Sequence, residues 1–287
     1  MTSKPVRTIA VIGAGVMGRG IALVAAKAGF DTRVIEPNAA SAESARAEID
    51  RIVSRARERG DWDSAAETAV RENLQWSATP DGAKGAQLAI EAVPEHVGLK
   101  ADVYAAVAPH LAPGAVLATN TSALGITELA ATSDRPKHFV GMHFFNPVHR
   151  MRLVELVRGL ETDEPTLRLA EEVAHAMGKE TVLVRESPGF VTSRVNVLIG
   201  NEAFAMLETG VASARDIDKA LKLGLNHPMG PFEMVDLVGL DTRLFILEYL
   251  HQALGERFRP NPLHIQYVKA GRLGRKVGRG IYDYPAP

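Results

Sequence analysis

Thr8-Ile9-Ala10-Val11-Ile12 runs directly into Gly13-Ala14-Gly15-Val16-Met17-Gly18, and no other feature narrows the fold as far. A short run rich in apolar and β-branched residues, ended by glycine, reads as a buried parallel strand. The glycine spacing then asks for a tight turn at Gly13. It asks for a close approach of ligand to backbone at Gly15, and for close helix-strand packing at Gly18. A helix begins at once, from about Gly15 to Ala28, and its N-terminus would face phosphates. Thr32 to Glu36 reads as a second strand, and Glu36 would accept bonds from both adenosine ribose hydroxyls. Glycine pairs alone are common in loops. Here a strand precedes them, a helix follows, and an acid ends the next strand, so the pattern is a dinucleotide fingerprint. Val16 and Met17 complete the cofactor loop. The Glu36 carboxylate would repel a 2′-phosphate, which favours NAD over NADP, and Arg33 sits too early in its strand to reverse that choice.

Beyond the fingerprint, a long exposed helix is expected over Ala39 to Arg59, rich in Ala, Glu and Arg. Strand candidates recur at Leu88 to Val93, Val116 to Thr119, Phe139 to Phe144, Leu153 to Val157 and Thr181 to Val184, with helical patterns between most of them. Such alternation implies an α/β fold of Rossmann type, a doubly wound, mostly parallel sheet with helices on both faces. Ser187-Pro188-Gly189 breaks the pattern. Helical stretches follow over Phe190 to Glu208, Ala214 to Leu223, Pro231 to Leu254 and Pro262 to Ala270, with no strong strand before the tail. The expected organisation is an NAD-binding domain over residues 1–186 and a helical domain over 187–287.

Bulk properties remove several function classes. A length of 287 residues with 46% hydrophobic content is ample for a packed core. The net charge of −1 gives no field to attract nucleic acid or an anionic membrane. With no cysteine, disulfides, thiol nucleophiles and cysteine-zinc sites are excluded, and no metal site is expected. No apolar run approaches the ~20 residues that span a bilayer, and the N-terminus lacks a signal-type apolar core. The expected location is cytoplasmic.

Three side chains stand where chemistry is done in such a sheet. His143 ends an apolar strand, in Phe139-Val140-Gly141-Met142-His143-Phe144-Phe145-Asn146-Pro147, and histidine exchanges protons near neutral pH. A lone strand histidine is more often a core residue bonded to a carbonyl. Glu155, however, lies in the middle of Leu153-Val154-Glu155-Leu156-Val157, and a charge buried there is costly unless paired. Two readings of Glu155 fit the pattern equally: a partner of His143, or an edge-strand residue facing water or Arg152 or Arg158. Ser122 follows another strand in Asn120-Thr121-Ser122. It is either a substrate contact or an ordinary loop serine.

With these segments in order, the chain resembles the L-3-hydroxyacyl-CoA dehydrogenase family, its bacterial 3-hydroxybutyryl-CoA dehydrogenases in particular. The likeness rests on the glycine loop, Asn120-Thr121-Ser122, His143-Phe144-Phe145-Asn146-Pro147, Pro188-Gly189-Phe190, His227-Pro228-Met229-Gly230-Pro231 and Gly271-Arg272-Leu273-Gly274-Arg275-Lys276. It covers almost the whole chain. The resemblance implies that His143 is the catalytic base, Glu155 its partner, and Ser122 a contact to substrate and nicotinamide. It implies further cofactor contacts at Glu95, Lys100, Asn146 and Lys276. It also implies a helical domain that carries a substrate cleft and a homodimer contact. The implied reaction is NAD-dependent oxidation of a (3S)-3-hydroxyacyl-CoA to the 3-oxoacyl-CoA. For the coenzyme A phosphates the long helix offers Arg46, Arg51, Arg55, Arg57 and Arg59, with Arg55 as the single candidate. The same arginines, balanced by Glu43, Glu48 and Glu58, equally describe a solvated helix face.

The chain departs from the family's pattern once. Pro188-Gly189-Phe190-Val191-Thr192-Ser193-Arg194 puts Ser193 where the family has a catalytic asparagine. Ser193 is then a substrate or water contact, with Asn196 one turn on supplying the longer reach, or else a small packing residue. Competing readings are a dehydrogenase of a free hydroxy acid, of gulonate or carnitine type, and a non-catalytic, crystallin-like relative or nucleotide sensor. A nucleic-acid binder finds no basic domain to support it.

Overall fold

The computed structural model describes residues 6–285. The chain divides into two compact units, Met1–Glu186 and Ser187–Pro287. Unit 1 is built on eight strands: β1 (Thr8–Ile12), β2 (Asp31–Ile35), β3 (Leu74–Ser77), β4 (Leu88–Glu91), β5 (Val116–Thr119), β6 (Phe139–Phe144), β7 (Leu153–Arg158) and β8 (Glu180–Arg185). Their spatial order is β3-β2-β1-β4-β5-β6-β7-β8. Strands β1 to β6 run parallel, β7 turns back antiparallel against β6, and β8 pairs parallel with β7. The order reverses between β1 and β4, and in such sheets a crevice opens there, outside the carboxyl ends of the strands.

The strands β4, β5 and β6 are buried along their whole lengths, as is β1 beyond its first residue. Burial on both faces explains why they read as continuous apolar runs rather than alternating ones. Helices α1 (Val16–Lys27), α2 (Ala39–Glu58), α3 (Ser64–Asn73), α4 (Val97–Val107), α5 (Ile126–Ala131) and α6 (Glu164–Ala176) connect them. Helix α2 starts at Asn38, whose side chain accepts from the Ser41 amide, as a helix cap should. It buries only Ala45, Ile49, Val53 and Ala56, a stripe at helical spacing, with Ile49 and Val53 packed beside Leu23 and Val70.

Three features differ from the sequence reading. Helix α3 and strand β3 stand where no element was expected. The four residues Leu74-Gln75-Trp76-Ser77 form an edge strand that is nowhere fully buried, so they carry no apolar run. The expected single helix from Pro231 to Leu254 is two, α9 (Pro231–Val238) and α10 (Leu240–Leu254), parted at Gly239 with φ 106°. That conformation suits glycine and ends the first helix.

Unit 2 also contains α7 (Thr192–Glu208), α8 (Ala214–Gly224) and α11 (Pro262–Lys269). Its core gathers Ala203, Phe204, Ile217, Phe232, Val235 and Leu240. Two buried aspartates fasten it. Asp218 accepts from the Phe232 and Glu233 amides at the start of α9 and from the Tyr282 hydroxyl. Asp236 accepts from the Ile281 and Tyr282 amides and the Tyr284 hydroxyl, which ties down the tail. Among the described residues no helix is long and apolar enough to cross a membrane.

His264 lies on α11 in unit 2. It is buried, stacks on Phe204 with ring centroids 4.6 Å apart, and places Nε2 2.9 Å from the Leu240 carbonyl oxygen. Burial, with a smaller contribution from Arg243, pushes its pKa down to about 4. The folded value lies below the unfolded one of about 6.5. The stabilising effect is therefore complete above pH 6.5, and it is lost as pH falls towards 4, because the unfolded chain takes up the proton first. The loss should reach roughly 3 kcal/mol over that window, at about 1.4 kcal/mol per pH unit. Urea titrations at stepped pH should show a shallower decline in His264→Gln than in wild type. Parallel declines would remove His264 from the account.

Candidate active site

At the carboxyl end of β1 the chain turns through Gly13, whose φ is 96°. A Cβ on Gly18 would lie 1.8 Å from the Gly13 carbonyl oxygen, so the first turn of α1 closes on the loop only because Gly18 has no side chain. Beside Gly15 there is nothing within 4 Å of where a Cβ would stand, which leaves open space against the backbone. Helix α1 starts at Gly15 with no side-chain cap and no acid in its first turn, so the positive end of its dipole is not met by a side chain there. Val16 is half exposed. Open space, a bare helix N-terminus and backbone amides together fit a pyrophosphate.

Glu36, which follows β2, accepts from the Ala14 amide through Oε2 and from the Asn38 amide through Oε1, both at 2.9 Å. It therefore fixes the glycine loop as well as presenting a carboxylate beside it. Arg33 is turned to other work, donating to Asp31 and to the Lys84 carbonyl oxygen.

Further along the same sheet edge, β6 and β7 place His143 directly opposite Glu155. Imidazole Nδ1 and carboxylate Oε2 are 2.7 Å apart, with both residues buried. Strand β7 lies between β6 and β8, so Glu155 is not an edge residue. Arg152 and Arg158 pair with Glu180 and Glu164. The Phe145 ring lies 4.5 Å from the imidazole, tilted by 51°.

The Asn120-Thr121-Ser122 turn follows β5, the neighbour of β6. Asn120 Oδ1 accepts from the Phe144 amide at 2.8 Å, and the Asn120 amide donates to the Glu91 carbonyl oxygen at 2.8 Å. Glu95 Oε1 accepts from the Ser122 amide at 2.6 Å and from the Thr121 hydroxyl at 3.1 Å. Lys100 Nζ lies 3.5 Å from Glu95 Oε2 and 2.7 Å from Glu91 Oε1. His143, Ser122, Glu95 and Lys100 thus belong to one hydrogen-bonded region. Asn146 is exposed in the loop after β6, and Arg55 is exposed in the last turn of α2.

Three candidates lie in unit 2. Ser193 occupies the first turn of α7, partly exposed. Asn196 is engaged by the buried Arg243, which donates to its carbonyl oxygen at 2.5 Å and lies 3.4 Å from its Oδ1. Lys276 pairs with both oxygens of Asp241, at 2.7 and 2.6 Å.

The sequence reading passed over Glu91, Tyr104 and Thr119, all buried. Glu91 had the signal that singled out Glu155, a carboxylate attached to an apolar run, Leu88-Ala89-Ile90.

Comparison with known proteins bears on this geometry. The family model for the NAD binding domain of 3-hydroxyacyl-CoA dehydrogenase matches residues 8–187, and that for its C-terminal domain matches residues 189–284. The chain is 44% identical to a probable 3-hydroxybutyryl-CoA dehydrogenase of Bacillus subtilis, over 97% of this chain and 98% of that one. It is 40% identical to the 3-hydroxybutyryl-CoA dehydrogenase of Bradyrhizobium diazoefficiens, over 97% and 96%. Among solved structures, the (S)-3-hydroxybutyryl-CoA dehydrogenase of Ralstonia eutropha superposes with a TM-score of 0.91 at 37% identity, covering 98% of this chain and 99% of that one. A glycine loop shaped for a dinucleotide, matches to both family models and relatives spanning nearly the whole length lead to one conclusion: the chain belongs to the 3-hydroxyacyl-CoA dehydrogenase family of NAD-dependent oxidoreductases.

Proposed function

We propose that the protein oxidises the 3-hydroxyl of a short (3S)-3-hydroxyacyl-CoA, such as 3-hydroxybutyryl-CoA, with His143 as proton acceptor and Glu155 as its partner. The observation that carries this reading is the buried 2.7 Å contact between His143 Nδ1 and Glu155 Oε2 at the carboxyl edge of the sheet. The short acyl chain follows the relatives' names. The protein works as a homodimer in the cytoplasm, with the dimer contact on unit 2.

The Nδ1 proton is donated to Glu155, so Nε2 is the nitrogen that takes the proton from the substrate hydroxyl. Glu155 then stabilises the imidazolium that forms, within a site of low dielectric where such a pair counts for more than in water. Bound NAD supplies the acceptor for the hydride that leaves C3. In the reverse direction His143 returns the proton to the developing alkoxide. The Ser122 hydroxyl bonds the substrate oxygen, and the 2.6 Å bond from its amide to Glu95 fixes where that hydroxyl starts. Gly13, Gly15, Val16, Met17 and Gly18 hold the pyrophosphate. Glu36 holds the adenosine ribose. Glu95, Lys100, Asn146 and Lys276 make or support the remaining cofactor contacts, and Arg55 meets a phosphate of coenzyme A.

The first test is His143→Gln, which should lower turnover by ~10²–10⁴-fold, the usual worth of a positioned base, while NADH binding followed by fluorescence stays near wild type. Glu155→Gln should also lose turnover, since the imidazolium loses its counter-charge. Near-normal turnover in His143→Gln would end the mechanism. Assays with 3-hydroxybutyryl-CoA against free 3-hydroxybutyrate, gulonate and carnitine settle the substrate class.

The Glu36 carboxylate should give NAD at least a hundredfold advantage over NADP in kcat/KM, which requires only ~2.7 kcal/mol. Glu36→Gln should narrow the ratio, and equal efficiency of the two cofactors in wild type would refute the assignment.

At α7, Ser193→Ala is expected to lower kcat with unchanged melting temperature. Asn196→Ala should chiefly cost stability, because its side-chain oxygen faces the buried Arg243. Wild-type kinetics in both variants and in the double variant would take this helix out of the chemistry.

A further inference from the structure

Beneath the Asn120-Thr121-Ser122 turn lies a buried carboxylate to which the proposed reaction gives no part. Glu91, at the end of β4, is fully buried and receives four donors. Its Oε1 accepts from the Val93 amide and from Lys100 Nζ, both at 2.7 Å. Its Oε2 accepts from the Tyr104 hydroxyl at 2.9 Å and the Thr119 hydroxyl at 2.7 Å. Lys100 is equally buried, and its ammonium also donates to the Val93 carbonyl oxygen at 3.3 Å. Burial and the nearby Glu91 carboxylate push the Tyr104 hydroxyl far above its ordinary pKa, so it remains a donor.

Such a pair is a poor means of gaining stability. Removing two charges from water costs several kcal/mol per ion, and well-packed apolar replacements of buried pairs are often neutral or stabilising. The geometry around Lys100 shows what else the pair does. The same ammonium stands 3.5 Å from Glu95 Oε2, and the other oxygen of Glu95 holds the Ser122 amide and the Thr121 hydroxyl. Lys100 is therefore placed between two carboxylates. How far it leans towards Glu95 depends on how strongly Glu91 holds it back.

We propose that Glu91 is a positioning residue of this active site: its charge holds Lys100 off Glu95, so that Glu95 remains bound to the Ser122 amide and keeps the serine hydroxyl in register with His143. The link to His143 runs through the same turn, because Asn120 Oδ1 accepts from the amide of Phe144, its neighbour on β6. The proposal rests on the reading of Ser122 and His143 given above. It adds a residue whose carboxylate accepts from Val93, Lys100, Tyr104 and Thr119 and does not belong to the His143–Glu155 pair.

Glu91→Gln isolates the charge. Glutamine has the same shape. Its oxygen can keep Val93 N–H and Lys100, and its amide group can donate to the two hydroxyls, which accept as readily as they donate. The Lys100 ammonium is then left with Glu95 as its nearest full counter-charge, and it closes on it. The Ser122 amide hydrogen bond, short and charge-assisted, lengthens.

The direct readout is the Ser122 amide proton in a transverse-relaxation-optimised NMR spectrum of the whole protein. A short bond to a carboxylate holds that resonance downfield. In Glu91→Gln it should move upfield, while amides of β1 and β2 keep their positions. Turnover should fall on the order of 10²-fold, as for a displacement of about 1 Å at a reacting group, with a smaller rise in KM for substrate. Glu91→Asp, which keeps the charge, should recover part of both signals. An unmoved Ser122 resonance in folded Glu91→Gln overturns the proposal, as does wild-type turnover.

If Glu91→Gln does not fold, Tyr104→Phe removes one donor to the carboxylate and leaves its charge. It should leave the Ser122 resonance and turnover near wild type, and a large upfield shift would show that packing, not charge, sets the turn. In that event Lys100→Met gives the charge arm: it removes the ammonium that would draw on Glu95, so the Ser122 resonance should stay downfield, although the melting temperature falls because Glu91 loses its buried counter-charge. A folded Lys100→Met whose Ser122 resonance moves upfield refutes the role. Should His143→Gln retain turnover while the Ser122 resonance moves in Glu91→Gln, the chemistry proposed for His143 fails and the positioning of the turn stands.

Discussion

The reversal of β7 against β6 is the constraint on which the candidate site depends. In a parallel crossover the residue beside His143 would come from a strand whose carboxyl end lies at the same edge, and side chains would meet in slanted register. The antiparallel return puts Glu155 directly opposite His143, where side chains on one face of facing strands come within reach of each other. Glu155 is fully buried, so the carboxylate does not reach solvent. A buried carboxylate with no counterpart is costly enough to shift or unfold its surroundings. The 2.7 Å contact with the imidazole is thus a condition for the strand's placement.

The same edge explains how elements distant in sequence come to one place. Strands β1, β4, β5 and β6 are adjacent and parallel, so their ends present the glycine loop, Glu91 to Glu95, Asn120 to Ser122, and His143 along one line. Each turn is tied to its neighbour by a bond across the strand ends. The Gly13 amide donates to the Ile35 carbonyl oxygen, the Ala92 amide to that of Ile12, and the Asn120 amide to that of Glu91. Backbone hydrogen bonds thus join the strand ends from β2 to β5, and the Asn120 side chain extends the line to β6.

What was legible in the sequence follows from burial. Strands covered on both faces write themselves as unbroken apolar runs, and β1, β4, β5 and β6 were read from such runs. Strand β3 sits at the sheet's edge with no residue fully buried, and its apolar-polar alternation runs over only four residues, too short to stand out from the loops around it. Gly239 divides a stretch whose apolar pattern continues on both sides, so periodicity ran through a break that only backbone conformation reveals. In the site, His143 and Glu155 were visible because a charge inside an apolar run is conspicuous. Glu91 lies inside the run Leu88 to Val93 and carries the same signal, a carboxylate among apolar residues. The distance from Lys100 to both Glu91 and Glu95 is a fact of packing between β4 and α4, which no spacing rule encodes.

Buried carboxylates in this chain fall into two groups, separated by their donors. Asp218 and Asp236 in unit 2 take backbone amides and tyrosine hydroxyls. Burial raises the pKa of Asp218 despite those bonds. Their donors are neutral groups that would otherwise be left without partners at a helix start and in the tail, so such residues act as fasteners. Glu91 and Glu155 in unit 1 instead face ionisable side chains, Lys100 and His143. An ionisable partner adds a second desolvation cost that a neutral donor would avoid, and stability alone gives no reason to accept it. The reason lies in what a neutral donor cannot do: hold a nearby carboxylate by its charge, or accept a proton and release it. Unit 1 places these two buried pairs, Glu91–Lys100 and His143–Glu155, at the sheet edge that carries the glycine loop, so its costliest interactions gather where a dinucleotide would bind.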